Sequence, residues 1–134
     1  MHTADKVKDN PKINGILDQG KVLVFDRYYT AQLAYQCAQG FPLEKALKVA
    51  EIFEVPKPDK ILLLKITPET SLKRKREENN GNLDRNEKNP EFQQRVATQY
   101  ERVAQDSVFG PWYVLDGERS KDGVFELVKK VLQL

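Results

Sequence analysis

The sequence predicts an α/β fold, and three observations lead to it. Continuous apolar runs stand at Val22–Phe25, Ile61–Leu64 and Trp112–Leu115, as suits strands buried on both faces in a parallel sheet. Helical periodicities separate them, giving the order α-β-α-α-β-α-α-β-α. Finally, no two runs are joined by a hairpin-length turn, so the strands are expected to run parallel, through right-handed crossovers.

Taken in order, Asn10-Pro11 reads as a cap followed by proline in the first turn, opening a short helix that Gly20 stops after about Gln19. Val22–Phe25 is the first strand. Thr30 to Gln39 carries Ala31, Ala34, Tyr35 and Ala38 at helical spacing, and Gly40 breaks it. Pro42 opens another helix with Leu43, Leu47, Ala50 and Ile52 or Phe53 facing inward. Pro56-Lys57-Pro58-Asp59 is a turn, and Ile61–Leu64 the second strand.

Pro68 to Glu77 should be a short helix ending in a basic run. Residues 78–88 are polar, with no apolar period, and read as a loop. Asn89-Pro90 caps a helix whose stripe is Phe92, Val96, Tyr100, Val103 and Ala104. Trp112–Leu115 is the third strand. Ser120 caps the last helix, where Val124, Leu127, Val128, Val131 and Leu132 recur at i, i+3, i+4, i+7 and i+8.

Composition narrows the functional classes. The chain has 134 residues, 40% apolar and 31% charged, a globular composition with room for one domain. A net charge of +2 is no argument for nucleic acid or an anionic membrane. Cys37 is the sole cysteine, which rules out an intrachain disulfide and fits the cytoplasm. The first residues lack the apolar stretch of a signal peptide, and no apolar run approaches the length of a membrane span.

One motif match fails on inspection. Gly15 to Val22 fits G-x-x-x-x-G-K, but Val22 stands where Ser or Thr must ligate magnesium. A helix precedes the segment and a strand follows it, the reverse of a phosphate loop. The other glycines are scattered, so this chain offers no recognisable cradle for the phosphates of ATP.

In open α/β sheets ligands bind beyond the C-terminal ends of strands, which singles out Asp26-Arg27. An arginine there can grip a phosphate bidentately, and the adjoining carboxylate can hold a magnesium-bound water. Taken alone, the pair reads as an ordinary surface turn.

A wider pattern resolves that choice. Phe25-Asp26-Arg27-Tyr28 with Ala34-Tyr35-Gln36 resembles the D-R-Y/H and A-Y-Q elements of the thymidylate kinase family. The resemblance continues through Lys57-Pro58-Asp59, Thr67 to Leu72, Lys73-Arg74, Leu83-Asp84-Arg85, Arg95-Val96, Tyr100 and Val114-Leu115-Asp116-Gly117. His2-Thr3-Ala4-Asp5-Lys6 is similar to the family's F-x-A-D-R segment, with His2 and Lys6 replacing the phenylalanine and arginine that recognise thymine.

The resemblance implies the parallel sheet of a P-loop nucleoside-monophosphate kinase with flanking helices, entered past its N-terminal strand and phosphate loop. The chain would be the C-terminal two-thirds of one domain, with a lid loop at about 78–88. The implied activity is magnesium-dependent phosphoryl transfer from ATP to dTMP. Arg27 would hold the acceptor phosphate, and Asp26 would place magnesium through a water. His2, Lys6, Gln32, Tyr35 and Gln36 would surround the nucleoside, with Gln36 reading the thymine edge. Arg85 would neutralise the transferring group, although Asn86 follows it where the family usually has an aromatic residue. The changes at His2 and Lys6 leave dTMP and dUMP unranked.

For Lys73-Arg74-Lys75-Arg76 three readings stand: a nucleic-acid or localisation patch, opposed by Glu77-Glu78; a solvated helix end; or, as the resemblance implies, an Arg74 packed on adenine. A sheet lacking its central strand would have open edges, so a homodimer or an N-terminal complementing segment is the expected partner. The rival readings are a non-catalytic nucleotide-binding module and a gene remnant.

Overall fold

The structure, a computed structural model, describes residues 9–78 and 89–133. It divides into two compact units, Met1–Pro58 and Asp59–Leu134.

The first unit is helical. Helix α1 covers Asn10–Asp18, α2 Tyr29–Ala38 and α3 Leu43–Ile52. Asn10 is not the cap of α1, as expected, but its first residue; Asp9 precedes it without a side-chain cap bond. The Asn10 amide instead donates to the Phe53 and Glu54 carbonyls at 3.1 and 3.3 Å, tying the start of α1 to the end of α3. Helix α2 buries Tyr29, Thr30, Leu33, Ala34 and Ala38, leaving Ala31 and Tyr35 half-buried. Helix α3 buries Ala46 and Ala50, while Ile52 and Phe53, expected inward, are 74% and 43% exposed. The small alanines bring α2 and α3 together, and the Tyr29 hydroxyl crosses between them to the Ala46 carbonyl at 2.9 Å.

Helices α2 and α3 end alike. The Gly40 and Phe41 amides donate back to Cys37 and Gln36, and those of Glu54 and Val55 to Glu51 and Ala50. This is the Schellman pattern, which needs a left-handed residue just past the helix. Gly40 supplies it at φ +94 and, less comfortably, Glu54 at φ +52.

Val22–Phe25, expected as the first strand, is not one: it forms no ladder, and Val22 and Val24 are 87% and 76% exposed. An apolar run becomes a strand when another strand satisfies its N–H and C=O groups, and none lies beside it among the described residues.

The second unit holds the sheet. Its elements are β1 Ile61–Lys65, α4 Pro68–Glu78, α5 Pro90–Gln105, β2 Trp112–Asp116 and α6 Lys121–Leu132. Strands β1 and β2 pair in parallel, Ile61 opposite Trp112 and Lys65 opposite Asp116, so the expected α/β character holds here with two strands. The caps of the last two long helices are as read: Asn89 accepts from the Phe92 amide and Ser120 from that of Gly123, both at 3.1 Å. Phe92, Val96 and Val103 form the buried stripe of α5. In α6 the apolar stripe is only half-buried. Lys60 anchors that helix by donating to the Val131 carbonyl at 2.8 Å.

Between α5 and β2 the chain turns sharply. Ser107 and the buried Phe109 take φ +49 and +74, and the Trp112 indole N–H donates to the Val108 carbonyl at 2.7 Å. A bulky residue in that region carries strain, which the burial of Phe109 offsets.

Candidate functional site

The first candidate site lies in the first unit, where Asp26-Arg27 leads into α2. Both side chains are exposed. Arg27 adopts φ +60, the left-handed region that non-glycine residues enter at a cost. The next two residues hold it there. Tyr28 stacks its ring near Phe25, centroids 4.8 Å apart, and donates its hydroxyl to the Pro56 carbonyl at 2.9 Å. Burial pushes the Tyr28 phenol up to about 12, so it remains a donor throughout the physiological range. Tyr29 is fully buried.

Tyr28 is the N-cap residue of α2 but makes no side-chain cap bond. The leading N–H groups of the helix, and the positive end of its dipole, therefore adjoin Arg27. Within α2, Gln32 and Gln36 are one turn apart, and Tyr35 lies beside them. The buried side of the helix is Tyr29, Thr30, Leu33, Ala34 and Ala38; Gln32, Tyr35 and Gln36 share the opposite, half-buried side. The Schellman turn closes the helix two residues after Gln36. A cation, a helix N-terminus and two amides on one face suit a ligand that is anionic at one end and carries donors and acceptors at the other.

The second candidate site lies in the second unit, around Arg74 and the loop from β2 to α6. Arg74, exposed on α4, donates from Nη1 to the Gly117 carbonyl at 2.8 Å and from Nη2 to the Arg119 carbonyl at 3.4 Å. Gly117 is buried, and its amide donates to the Lys65 carbonyl at 2.9 Å. A Cβ there would stand 2.7 Å from Ile66 Cγ2 and 3.1 Å from that carbonyl, so only glycine lets the loop lie against the end of β1.

Asp116 stiffens the loop, accepting from the Glu118 amide at 3.0 Å and the Arg119 Nε at 3.4 Å. Sequence reasoning missed Glu118, which accepts at 2.8 Å from both the Thr67 amide and the Thr70 hydroxyl. Those bonds, the Thr67 amide foremost, then Thr70, with the Arg74 charge adding, hold its carboxyl below the usual carboxylate range. The only local hint was Thr67-Pro68 as a helix start; nothing in the sequence joins it to a glutamate beyond the next strand.

His2, Lys6 and Arg85 lie outside the described residues, as does most of the expected lid loop. Among the described residues no three His, Cys, Asp or Glu side chains group as a metal cage. Asp26 is thus a single carboxylate beside a cation, which fits contact with magnesium through water, since that ion keeps several of its waters when it travels with phosphates. No described helix is long and apolar enough to cross a membrane.

A family model described as thymidylate kinase matches residues 1–128. The chain is 33% identical over 119 residues to a thymidylate kinase of Caldicellulosiruptor saccharolyticus, the match covering 87% of this chain and 56% of that protein. It is 34% identical over 106 residues to a probable thymidylate kinase of Pyrococcus abyssi, covering 78% and 50%. A 58-residue stretch is 45% identical to a thymidylate kinase of Xanthomonas campestris pv. campestris. The chain spans about half the length of the first two relatives.

Proposed function

The chain belongs to the thymidylate kinase family, and from that premise we propose that it provides the acceptor side and part of the nucleotide side of an enzyme that phosphorylates dTMP with ATP. The observation that carries this reading is the strained Arg27, held at the N-terminus of α2 with Gln32, Tyr35 and Gln36 along one face. Strain of this kind gathers where a side chain must point at a ligand.

Phosphoryl transfer asks for positioning and charge neutralisation rather than covalent catalysis. Arg27 grips the acceptor phosphate with two N–H groups, aided by the helix N-terminus. Gln36 reads the pyrimidine edge through its donor and acceptor, Gln32 lies close to the base, and Tyr35 packs near the sugar. His2 stacks on the base and Lys6 donates to its edge. In the second unit Arg74, held by the edge of its fork, turns its flat face to adenine. Arg85 neutralises charge on the transferring group. Asp26 would hold magnesium through one of its waters, and the ion, bound with ATP, would supply charge to screen the phosphates. The location that goes with this activity is the cytoplasm.

The 134-residue polypeptide contains no Gly-rich phosphate loop, so we assign that part of the work to a complement: an N-terminal segment carrying a strand and the loop, or a second copy of the chain. The exposed Val22, Val24 and Phe25 are the surface such a strand would cover. The second reading is a module that binds dTMP without turnover.

The test is ADP release by the purified chain with dTMP, ATP and magnesium, with and without an added segment bearing a strand and phosphate loop. The expected result is dTMP-dependent turnover only when the segment is present, lost in Arg27→Ala. Turnover by the chain alone would show that the loop is dispensable. Silence in both conditions together with tight dTMP binding selects the binding module, and silence without binding ends the kinase reading.

A further inference from the structure

Two sets of bonds join the β2–α6 loop to helix α4, and they run in opposite directions. From the loop, Glu118 reaches to the start of α4: Oε1 takes the Thr67 amide and Oε2 the Thr70 hydroxyl, each at 2.8 Å. Thr67 and Thr70 are themselves joined, Thr67 donating its hydroxyl to Thr70 Oγ1 at 3.0 Å and accepting the Thr70 amide on its own Oγ1 at 3.2 Å. From the helix, one turn beyond Thr70 on the same face, Arg74 reaches back to the Gly117 and Arg119 carbonyls, the residues on either side of Glu118. Loop and helix thus close a circuit that depends on one carboxylate using both its oxygens.

We infer that Glu118 is a positioning residue for the nucleotide side of the site, holding the loop so that its carbonyls grip the Arg74 guanidinium by the edge and leave the flat face for an adenine ring. This rests on the reading of Arg74 given above. Glu118 is exposed and contributes no core packing. Asp116 fixes the shape of the loop independently, through the Glu118 amide and Arg119. Loss of the Glu118 carboxylate would therefore unhook the loop from α4 without unfolding either. An Arg74 free to rotate must be ordered anew at each binding event, which weakens binding by roughly two- to tenfold for a long side chain.

The experiment is calorimetric titration with ATP of the full chain supplemented with the strand and phosphate-loop segment, using wild type, Glu118→Ala, Glu118→Gln, Arg74→Ala and the Glu118→Ala/Arg74→Ala pair. Glu118→Ala and Arg74→Ala should each weaken ATP by up to about tenfold. The double variant should bind no worse than Arg74→Ala, because both changes break one circuit. Glu118→Gln should recover to within about threefold, since its amide can accept from the Thr67 N–H and donate to the Thr70 hydroxyl oxygen.

Weakening by Arg74→Ala but not by Glu118→Ala overturns the inference alone, as do losses that multiply in the double variant. ATP binding that is absent, or indifferent to Arg74→Ala, overturns the nucleotide-side reading and the role of Glu118 with it. Should Glu118→Ala fail to fold, Glu118→Asp carries the test: one methylene shorter, it cannot span both threonines, and unchanged ATP affinity in it refutes the inference.

Discussion

Val22–Phe25 and Ile61–Leu64 are both runs of four apolar residues, each directly preceded by a lysine, yet they end in different states. The second lies in a parallel ladder beside β2, with Ile61 only 8% exposed. The first has no ladder, and Val22 is 87% exposed. The β-character of a run is a fitness for pairing rather than a property of its own backbone. Where a neighbour exists, N–H and C=O groups are exchanged and the side chains reach a core; where none exists, water serves the backbone.

This comparison can be tested through stability, most simply in urea with Trp112, the single tryptophan, as reporter. The largest effect is expected from Ile61→Ala, which empties a buried strand position and should cost about 2–5 kcal/mol. A loss under 1 kcal/mol would mean that β1 is no better packed than Val22–Phe25.

Next comes Gly117→Ala, which forces a methyl against Ile66 and the Lys65 carbonyl at the end of β1. Overpacking of this sort costs about 1–3 kcal/mol, and a neutral result would show that the loop is not held to the strand.

Tyr28→Phe removes the firmest tether after the unpaired run, the hydroxyl bond to Pro56, and should cost about 0.5–1.5 kcal/mol. Its pH signature is specific. Burial pushes the folded phenol up to about 12, above the ordinary tyrosine value of about 10, so its contribution is intact below about pH 10 and is lost as pH rises from there towards 12. Absorbance titration should show one late tyrosine that the variant lacks.

The smallest effect belongs to Val24→Ala, at a position 76% exposed, expected within about 0.5 kcal/mol of wild type. A cost of 2 kcal/mol there would place the run in a core and erase the contrast.

What was legible in the sequence was local. The helices α1 to α6, the two paired strands and the caps at Asn89 and Ser120 follow from periodicity, from the proline and glycine that bound α1, and from short side chains meeting nearby amides. The shared face of Gln32, Tyr35 and Gln36 follows from helical spacing once α2 is placed. What escaped depended on distance or on tolerated strain. Glu54 and Ser107 end helices where glycine would be sought, because packing offsets their left-handed geometry. The inward places assigned to Ile52 and Phe53 failed because α3 packs through Ala46 and Ala50. Glu118 looked like any surface glutamate, since its partners are brought to it only by the closed sheet.

The spans of these contacts also set an order of assembly. The Tyr29 hydroxyl finds its carbonyl 17 positions along the chain, whereas Glu118 meets Thr67 across 51, and β1 must wait equally long for β2. Closing longer loops costs more entropy before any contact repays it. During synthesis, at about 5–20 residues per second, the α2–α3 pair can form while the second unit is still being made. Strand β1, by contrast, leaves the ribosome seconds before its partner exists. Throughout that interval its apolar residues stand as bare as Val22–Phe25 does in the finished fold, and that is when the nascent chain most needs a chaperone.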